Sequence, residues 1–317
     1  MQKYIVGVDI GGTTIKLAIF PEGERATETW EIKTTDREHI TEIWKDIAEA
    51  IKAKFAELGY DMTQLAAVGM DLPGPICDNG YLPWCVNLGM GACYPAQELS
   101  DVLGGVPVAA CNDANAAALG EVYYGAAKGA DNAALFTLGT GVGGVIIVSG
   151  KIVAGNRGIG GEVGHFVVNP DETEKCNCGN RGCLEQYTSA TGMVRMAKKM
   201  LAKGELKSKL YDFDADAITA KDVCDVAKEG DELGLEVINV YSKYLAIAAS
   251  HIALTIDPDV IIIGGGVSKA GKILIDKVEE YFVEYTHIAE KKAKFVLAEL
   301  GNDAGTYGSA ALASQLI

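Results

Sequence analysis

The sequence is short of positive charge, and this scarcity excludes several kinds of partner. Its 317 residues include 28 lysines and arginines against 43 aspartates and glutamates, a net charge of −15. So acidic a chain is disfavoured as a binder of nucleic acid or of an anionic membrane surface. No apolar run approaches the ~20 residues that span a bilayer, and the N-terminus lacks the pattern of a signal peptide. We therefore expect neither nucleic acid nor membrane as a partner. A small anionic ligand stays open, because backbone N–H groups bind phosphate without net charge.

Cysteine is too sparse and scattered for a disulfide framework, since only eight occur in the whole chain. Three of them, Cys176, Cys178 and Cys183, nevertheless lie within eight positions, with glycines that permit a tight turn. Structural Zn²⁺ takes four ligands, and three cysteines with one histidine are an accepted set. Of the four histidines, His165 lies eleven residues before Cys176 and is the candidate fourth ligand. The pattern predicts one structural zinc site in a protein of the reducing cytoplasm. The simpler alternative is three free thiols on a surface loop.

Two stretches of the chain begin with the same arrangement of strands around a glycine turn. VGVDIGGTTIKLAIF starts at Val6 and ALFTLGTGVGGVIIV at Ala134, and helical and strand-like segments alternate after each. This pattern predicts an α/β protein built as a duplicated βββαβαβα unit, with two domains around a cleft. We place the N-terminal domain at residues 1–124 plus about 303–317. The C-terminal domain covers about 125–302 and holds the zinc-binding insert at about 165–185. Apolar spacing predicts helices over 40–58, 95–103, 189–203, 233–256 and 271–285.

The paired glycine turns are candidate phosphate sites. Glycine allows successive backbone N–H groups to turn inward and form an anion-binding hollow. Either turn alone is more often an ordinary tight turn, but their pairing in a repeat favours phosphate binding. Mg²⁺ binds through one or two carboxylates plus phosphate oxygens, and Asp9 ends the strand before the first turn. A third glycine run, Gly264 to Gly266, would let a flat base such as adenine approach the backbone, but it lacks the spacing of a dinucleotide motif.

A polar pair, Asn112-Asp113, lies where an apolar strand gives way to an alanine-rich helix. In open α/β sheets, ligands bind at the carboxyl edge where such a pair lies, and one carboxylate there can take a proton from a substrate hydroxyl. The alternative is that Asp113 only caps the helix, since aspartate is a preferred N-cap. A helix N-terminus should also depress the pKa of this carboxylate and keep it ionised.

Three further polar residues lie next to the predicted zinc insert. Glu185 follows Cys183 by two positions, and Glu162 and His165 belong to the glycine-rich segment before the cluster. Hydrogen-bond acceptors held on a rigid support suit a polyhydroxylated substrate, because each hydroxyl needs a directed partner. The alternative for the two glutamates is ordinary surface charge.

With these motifs in hand, the chain resembles the sugar kinases of the ROK family (repressors, uncharacterised reading frames and kinases), most of all the bacterial ATP-dependent glucokinases within it. The resemblance runs from Tyr4 to the C-terminus and rests on DIGGT with Lys16, PGP at 73–75, Asn112-Asp113, GTGVGG at 139–144, GEVGH at 161–165 and CxCGxxGCLE at 176–185. It implies an actin/hexokinase-type (ribonuclease H-like) fold, cytoplasmic localisation and a homodimer or larger assembly such as a tetramer. It also implies a hexose substrate phosphorylated at its 6-hydroxyl by Mg²⁺-ATP.

The resemblance assigns a role to each matching position. Asp113 would be the general base, and His165 would be both a zinc ligand, with Cys176, Cys178 and Cys183, and a sugar ligand. The other implied sugar ligands are Gly74, Asn87, Asn112, Glu162 and Glu185. The residues implied to face ATP and Mg²⁺ are Asp9, Gly11, Gly12, Thr13, Lys16, Thr140, Gly141, Gly265 and Gly266.

Three alternatives to a glucokinase stay open. A kinase for mannose, fructose, allose, N-acetylglucosamine or N-acetylmannosamine is the main one, because Met90 stands where tryptophan is frequent among the glucokinases. The family also includes transcriptional repressors. We disfavour these because only three residues precede the first strand and the basic surface of a DNA binder is missing. A non-catalytic sugar-sensing regulator is disfavoured by the intact phosphate turns.

Overall fold

The structure is a computed structural model that describes residues 2–77, 79–156, 158–289 and 292–317. The chain forms two compact units. Unit 1 comprises Met1–Gly129, Ile152–Gly160 and Glu299–Ile317, and unit 2 comprises Ala130–Lys151 and Gly161–Ala298. The domain boundaries inferred from the sequence stay a prediction.

A five-stranded sheet with strand order β3-β2-β1-β4-β5 forms the centre of unit 1. The first strand pairs antiparallel with the second and parallel with the fourth. The chain therefore has to cross over before the fourth strand, and helix α1 lies in this connection. The elements of this unit, before the chain leaves it, are β1 (Tyr4–Ile10), β2 (Thr14–Pro21), β3 (Glu28–Lys33), α1 (Ile43–Leu58), β4 (Leu65–Leu72), α2 (Pro95–Val102), β5 (Val108–Asn112) and α3 (Asp113–Tyr123).

Helix α1 shows how the apolar spacing produces the packing. Its fully buried side includes Ile43, Ile47, Ile51 and Phe55, which recur every three or four residues and face the core of unit 1. The helix ends at Gly59, which adopts the left-handed conformation (φ 72°) that favours glycine. The predicted start at residue 40 is three residues early, because residues 37–42 form a 3₁₀ segment with a non-helical φ at its third residue.

Unit 2 repeats the strand order of unit 1. Its sheet has the order β8-β7-β6-β9-β10, which is that of unit 1 with each strand number raised by five. The predicted duplication is therefore confirmed. The elements are β6 (Ala133–Leu138), β7 (Val142–Val148), β8 (Lys151–Ile152), α4 (Glu185–Thr188), α5 (Ala190–Lys203), α6 (Ala220–Lys228), α7 (Glu232–Ile256), β9 (Val260–Gly264), α8 (Lys272–Tyr285) and β10 (Lys294–Leu297).

Helix α7 forms the middle of the core of unit 2. Its 25 residues have the length and composition of a membrane span, which the sequence interpretation did not single out. Tyr241, Leu245 and Ala249 are fully buried along it, and more than half of its most apolar window is buried inside the protein. The apolar character of α7 is thus accounted for by packing against α5, α6 and α8.

The last helix, α9 (Ala304–Ser314), packs on β1, β4 and α3 of unit 1 at very short range. A Cβ atom on Gly69 of β4 would lie 1.7 Å from the carbonyl oxygen of Ser309. One on Gly308 would lie 1.6 Å from the carbonyl oxygen of Ala116. No side chain fits at either position, so these two glycines set how closely α9 approaches the sheet and α3.

Candidate active site

The junction of β5 and α3 in unit 1 presents Asn112 and Asp113 in different roles. Asn112 is the N-cap of α3, because its Oδ1 accepts a hydrogen bond from Ala114 N at 2.9 Å. Its Nδ2 donates to the carbonyl oxygen of Gly74 at 3.3 Å. Asp113 is the first residue of the helix, and its Oδ1 lies 2.8 Å from Ala114 N. The capping role considered for Asp113 therefore falls to Asn112.

The pKa of Asp113 departs from the sequence prediction. The helix N-terminus was expected to depress it, but desolvation by the surrounding protein raises the pKa above its usual value. Hydrogen bonds from Ala114 N and the Asn112 side chain act in the opposite direction and are the weaker influence. The prediction of a depressed pKa is wrong, because it considered the helix dipole and not the crowding of the site. A raised pKa makes this carboxylate a better proton acceptor.

The first glycine turn lies between two carboxylates and a lysine. Gly11 N donates to Thr14 O at 3.0 Å and closes the turn. Asp9 lies opposite Lys16 on β2 and opposite Asp71 on β4. Burial raises the pKa of Asp9, while Lys16 and a hydrogen bond from Asp71 lower it in part. Asp71 is fully buried, and the sequence interpretation missed it because it ends a strand that is otherwise apolar.

The loop between β4 and α2 carries the two less specific sugar-side candidates. Gly74 is buried, and a Cβ atom there would lie 2.9 Å from Leu82 Cδ1, so glycine is needed for the loop to pack. Asn87 is exposed, and its carbonyl oxygen accepts from Arg37 Nη2 at 3.0 Å. Met90 is buried in the core of unit 1, 8% exposed. On this loop the Asn87 residue is therefore exposed, whereas Met90 is part of the core.

The second glycine turn, in unit 2, lies beside the predicted sugar ligands. Gly139 N donates to Gly141 O at 3.0 Å, and Val142 N donates to Glu185 Oε2 at 3.0 Å. One cavity of about 430 Å³ brings the turn together with the three polar residues next to the cysteine cluster. It is lined by Thr137, Gly139, Thr140, Gly141, Val142, Gly143, Glu162, His165, Glu185 and Gly265. The structure thus brings together the phosphate-site and sugar-site candidates that belong to unit 2.

The cysteine cluster brings four side chains that can bind a metal close together. The ligand atoms of His165, Cys176, Cys178 and Cys183 all lie within 4.8 Å of one another. The sulfurs of Cys178 and Cys183 are 3.6 Å apart, close to the about 3.8 Å between neighbouring sulfurs of a tetrahedron with Zn–S bonds of about 2.3 Å. His165 Nδ1 is buried and has no hydrogen-bond partner among the residues that the structure describes. A metal ion would supply the partner that this nitrogen lacks, so the four residues fit Zn²⁺.

A salt-bridge network supports the chain around the cluster. Arg195 on α5 donates to Glu172 at 3.0 Å and to Glu174 at 2.7 Å, and Tyr187 Oη donates to Glu172 at 2.6 Å. Burial of Glu172 acts to raise its pKa, but the hydrogen bonds from Tyr187 and Arg195 outweigh burial and lower it to about 2. The segment just before the cysteines is thereby fixed to α5.

A larger cavity of about 540 Å³ also borders the second turn, within unit 2. It shares Gly139 and Thr140 with the smaller cavity, and Gly266 lines it as well. Gly265 has φ 84°, and a Cβ atom on it would lie 2.5 Å from Leu138 O, so the third glycine run needs glycine where it passes β6. The volume lies within the range of small-molecule sites.

Helix α6, which lines much of this larger cavity, is absent from the sequence interpretation. Lys221, Cys224, Asp225 and Lys228 face the cavity from this helix. A capping box formed by Thr219 and Asp222 begins it, and the threonine with an acidic residue three positions on could have signalled the helix. Its nine residues were too short for the apolar spacing to reveal it.

Known proteins resemble the chain over its whole length. The model of the ROK family matches residues 5–316. A glucokinase of Halalkalibacterium halodurans is 38% identical over 99% of this chain and 96% of its own length. The crystal structure of a ROK hexokinase from Thermus thermophilus has a TM-score of 0.80 and 28% identity, covering 99% of this chain and 98% of its own. That of a ROK family glucokinase from Streptomyces griseus in complex with glucose and AMPPNP has a TM-score of 0.67 and 32% identity, covering 98% and 99%. The predicted family and fold class are confirmed, and the chain belongs to the ROK family.

Proposed function

We propose that this protein is a sugar kinase that transfers the γ-phosphoryl group of ATP to the 6-hydroxyl of a hexose, with glucose as the substrate. One observation carries the proposal. The second glycine turn borders both the cavity that holds Glu162, His165 and Glu185 and the larger cavity lined by α6 and Gly266. A polyhydroxylated acceptor and a nucleotide would therefore meet at the backbone that holds the phosphates. The similarity to glucokinases supports glucose as the acceptor.

The sugar would be held by acceptors whose positions are fixed by the cysteine cluster. Glu185 has one carboxylate oxygen bonded to Val142 N, and the other lies 3.7 Å from Cys176 Sγ. Glu162 would accept a hydrogen bond from a further hydroxyl, and the second ring nitrogen of His165, which carries the proton when Nδ1 binds the metal, would donate to one. Asn112, Gly74 and Asn87 of unit 1 complete the proposed sugar ligands. We infer that Zn²⁺ is structural, because four protein ligands leave no open coordination position.

Asp113 would act as the general base toward the 6-hydroxyl. Its raised pKa favours acceptance of a proton, and the N-cap of α3 is Asn112 rather than Asp113. The phosphates would be bound by backbone N–H groups of the two glycine turns, namely those of Gly12, Thr13, Thr140 and Gly141. Gly11 would shape the first turn beside the phosphates, since its own N–H closes that turn, and Gly265 and Gly266 would lie next to the adenosine. Asp9, with Lys16 beside it, supplies the carboxylate that suits Mg²⁺, which neutralises phosphate charge when bound.

The decisive experiment compares wild type with Asp113→Asn in a coupled assay of ADP release against a panel of hexoses and N-acetylhexosamines. We expect wild type to prefer glucose. The variant should keep sugar affinity within a few-fold and lose at least ~100-fold in turnover, the low end for a general base. Near-normal turnover in the variant would remove the assignment of Asp113. A preference for an N-acetylhexosamine would show that the substrate is this sugar and not glucose.

We further propose the domain division inferred above, with boundaries near residues 125 and 303, and a homodimer, which family membership supports. Light scattering after size-exclusion chromatography measures the mass of the assembly directly. A monomer mass at micromolar concentration would contradict the dimer.

A further inference from the structure

The first turn of α5 is attached to the second glycine turn by two hydrogen bonds. Ala190 N donates to Gly139 O at 2.7 Å, and Thr191 Oγ1 donates to Thr140 O at 2.9 Å. The two acceptors belong to successive residues of the turn, and Ala190 lines the larger cavity together with them. Helix α5 therefore holds the backbone that we assign to the phosphates.

The same segment of chain comes directly from the cysteine cluster. Glu185 follows Cys183 by two residues and binds Val142 N, at the end of the turn. Its carbonyl oxygen accepts from Ser189 Oγ at 2.7 Å, and Ser189 Oγ lies 2.9 Å from Thr191 Oγ1. Residues 185–191 thus contact the glycine turn at three of its residues, and they start at the cluster.

The peptide plane explains why a bond to a carbonyl group matters for a phosphate on the other side. The C=O of one residue and the N–H of the next lie in one rigid plane and point in opposite directions. A hydrogen bond to Thr140 O therefore fixes the direction of Gly141 N–H, and one to Gly139 O fixes that of Thr140 N–H. These are two of the N–H groups that would bind the phosphates.

The hydroxyl of Thr191 is not needed to begin its own helix. The N-cap of α5 is Ser189, whose Oγ accepts from Gly192 N at 2.9 Å. Thr191 is exposed, so its side chain contributes little to the core. Among the residues that the structure describes, its one hydrogen bond beyond α5 and the N-cap Ser189 is the one to the glycine turn.

We propose that Thr191 is a positioning residue for the phosphate donor, which orients the Gly141 N–H by holding the carbonyl group of Thr140. The proposal rests on the proposed kinase function and adds a residue to it. It gives the segment from the cysteine cluster a second task, since this segment supports the nucleotide site as well as the sugar ligands.

The test compares Thr191→Val, Thr191→Ser and the matched control Thr255→Val. Thr255 is an exposed threonine on α7 whose hydroxyl donates to a backbone carbonyl, that of His251, far along the chain from the glycine turn. Three quantities are measured for each protein: the KM for ATP at saturating sugar, the KM for sugar at saturating ATP, and the dissociation constant of ADP without sugar by calorimetry.

We expect Thr191→Val to raise the KM for ATP and the dissociation constant of ADP about three- to tenfold, the effect of one lost hydrogen bond. The KM for sugar should stay within about twofold, because the Glu185 contact is intact. Serine at position 191 should restore nucleotide binding, and Thr255→Val should leave all three quantities unchanged. Unchanged nucleotide binding in Thr191→Val, or an equal loss for both substrates, would overturn the positioning role.

The outcome for wild type separates this proposal from the proposed function. If wild type phosphorylates no sugar and binds no ADP, the kinase assignment fails and the role of Thr191 fails with it. If wild type is an active kinase and Thr191→Val binds ADP as wild type does, only the role of Thr191 fails.

Discussion

Glu121 on α3 gives the most direct test of how unit 1 holds the chain where it leaves and returns. The side chain is 1% exposed. Its Oε2 accepts from Ala126 N at 2.9 Å, just before the chain leaves unit 1. Its Oε1 accepts from the N–H groups of Glu299 and Leu300, both at 2.9 Å, where the chain returns. One carboxylate therefore binds both segments.

Glu121→Gln keeps the shape of the side chain and changes one oxygen to an NH₂ group. That group must face at least one backbone N–H, so a charge-assisted hydrogen bond is replaced by two opposed donors. A hydrogen bond to a charged group is worth about 1.5–3 kcal/mol, and an unsatisfied buried donor costs a further 1–3. We expect the free energy of unfolding of unit 1 to fall by about 2.5–6 kcal/mol.

Amide hydrogen exchange measured by mass spectrometry locates this loss. Peptides containing Ala126, Glu299 and Leu300 should lose protection in Glu121→Gln more than peptides from the core of unit 2. Chemical denaturation gives the global change, and Glu279→Gln, an exposed glutamate on α8, serves as the control within about 0.5 kcal/mol. Unchanged hydrogen exchange at both segments in a folded variant would refute the conclusion that the Glu121 carboxylate holds them together.

Three other predictions follow from the geometry. Cys178→Ser, or treatment with a zinc chelator, should collapse sugar affinity, because the proposed sugar ligands Glu185 and His165 depend on the cluster. Fully active protein with no zinc by elemental analysis would contradict this. Glu172→Gln should lower the free energy of unfolding by about 1–3 kcal/mol at pH 7. The difference from wild type should vanish as the pH falls from about 4.5 to about 2, because a carboxyl group with a depressed pKa stabilises the fold only while it is ionised. Denaturation at several pH values measures this difference. Gly69→Ala should cost at least about 3 kcal/mol by forcing α9 off the sheet, and an unchanged melting temperature would exclude so tight a contact.

Regular segments could be predicted from the sequence because their periodicity is local. The strands around both glycine turns and the buried side of α1 follow from alternation and three-to-four spacing. The close packing of α9 could not be predicted, because it depends on Gly69 and Gly308, which meet backbone from distant parts of the chain. A glycine in a strand shows that something approaches closely, but not what approaches.

The candidate site likewise has a part that the local sequence predicts and a part that depends on contacts between distant segments. The cysteine cluster was predictable because three of its four ligands are close in sequence, and the fit of the fourth, His165, now has a structural sign in its unpartnered Nδ1. Helix α6 was not found, because its capping box was overlooked and its nine residues are too few for the apolar spacing to show; Thr191 was not found because it belongs to no motif. Helix α6 matters because it lines the larger cavity, and Thr191 because it bonds the glycine turn. Both placements depend on the fold and not on the local sequence.

The pair Asp9 and Asp71 shows that the glycine-turn motif, which contains Asp9, does not reveal the residue that affects the ionisation of Asp9. The two carboxyl groups lie opposite each other on neighbouring parallel strands, and two such groups do not both ionise easily. Burial raises the pKa of Asp71 well above its usual value, and Asp9 adds to this, against the hydrogen bond from Ser309. Asp71 is therefore the harder of the two groups to ionise. The interaction with Asp71 and the charge of Lys16 lower the pKa of Asp9 in part, against its own burial. If Asp9 holds Mg²⁺ as proposed, the charge that the metal needs would fall to Asp9 through Asp71, a residue that no sequence motif of the site contains.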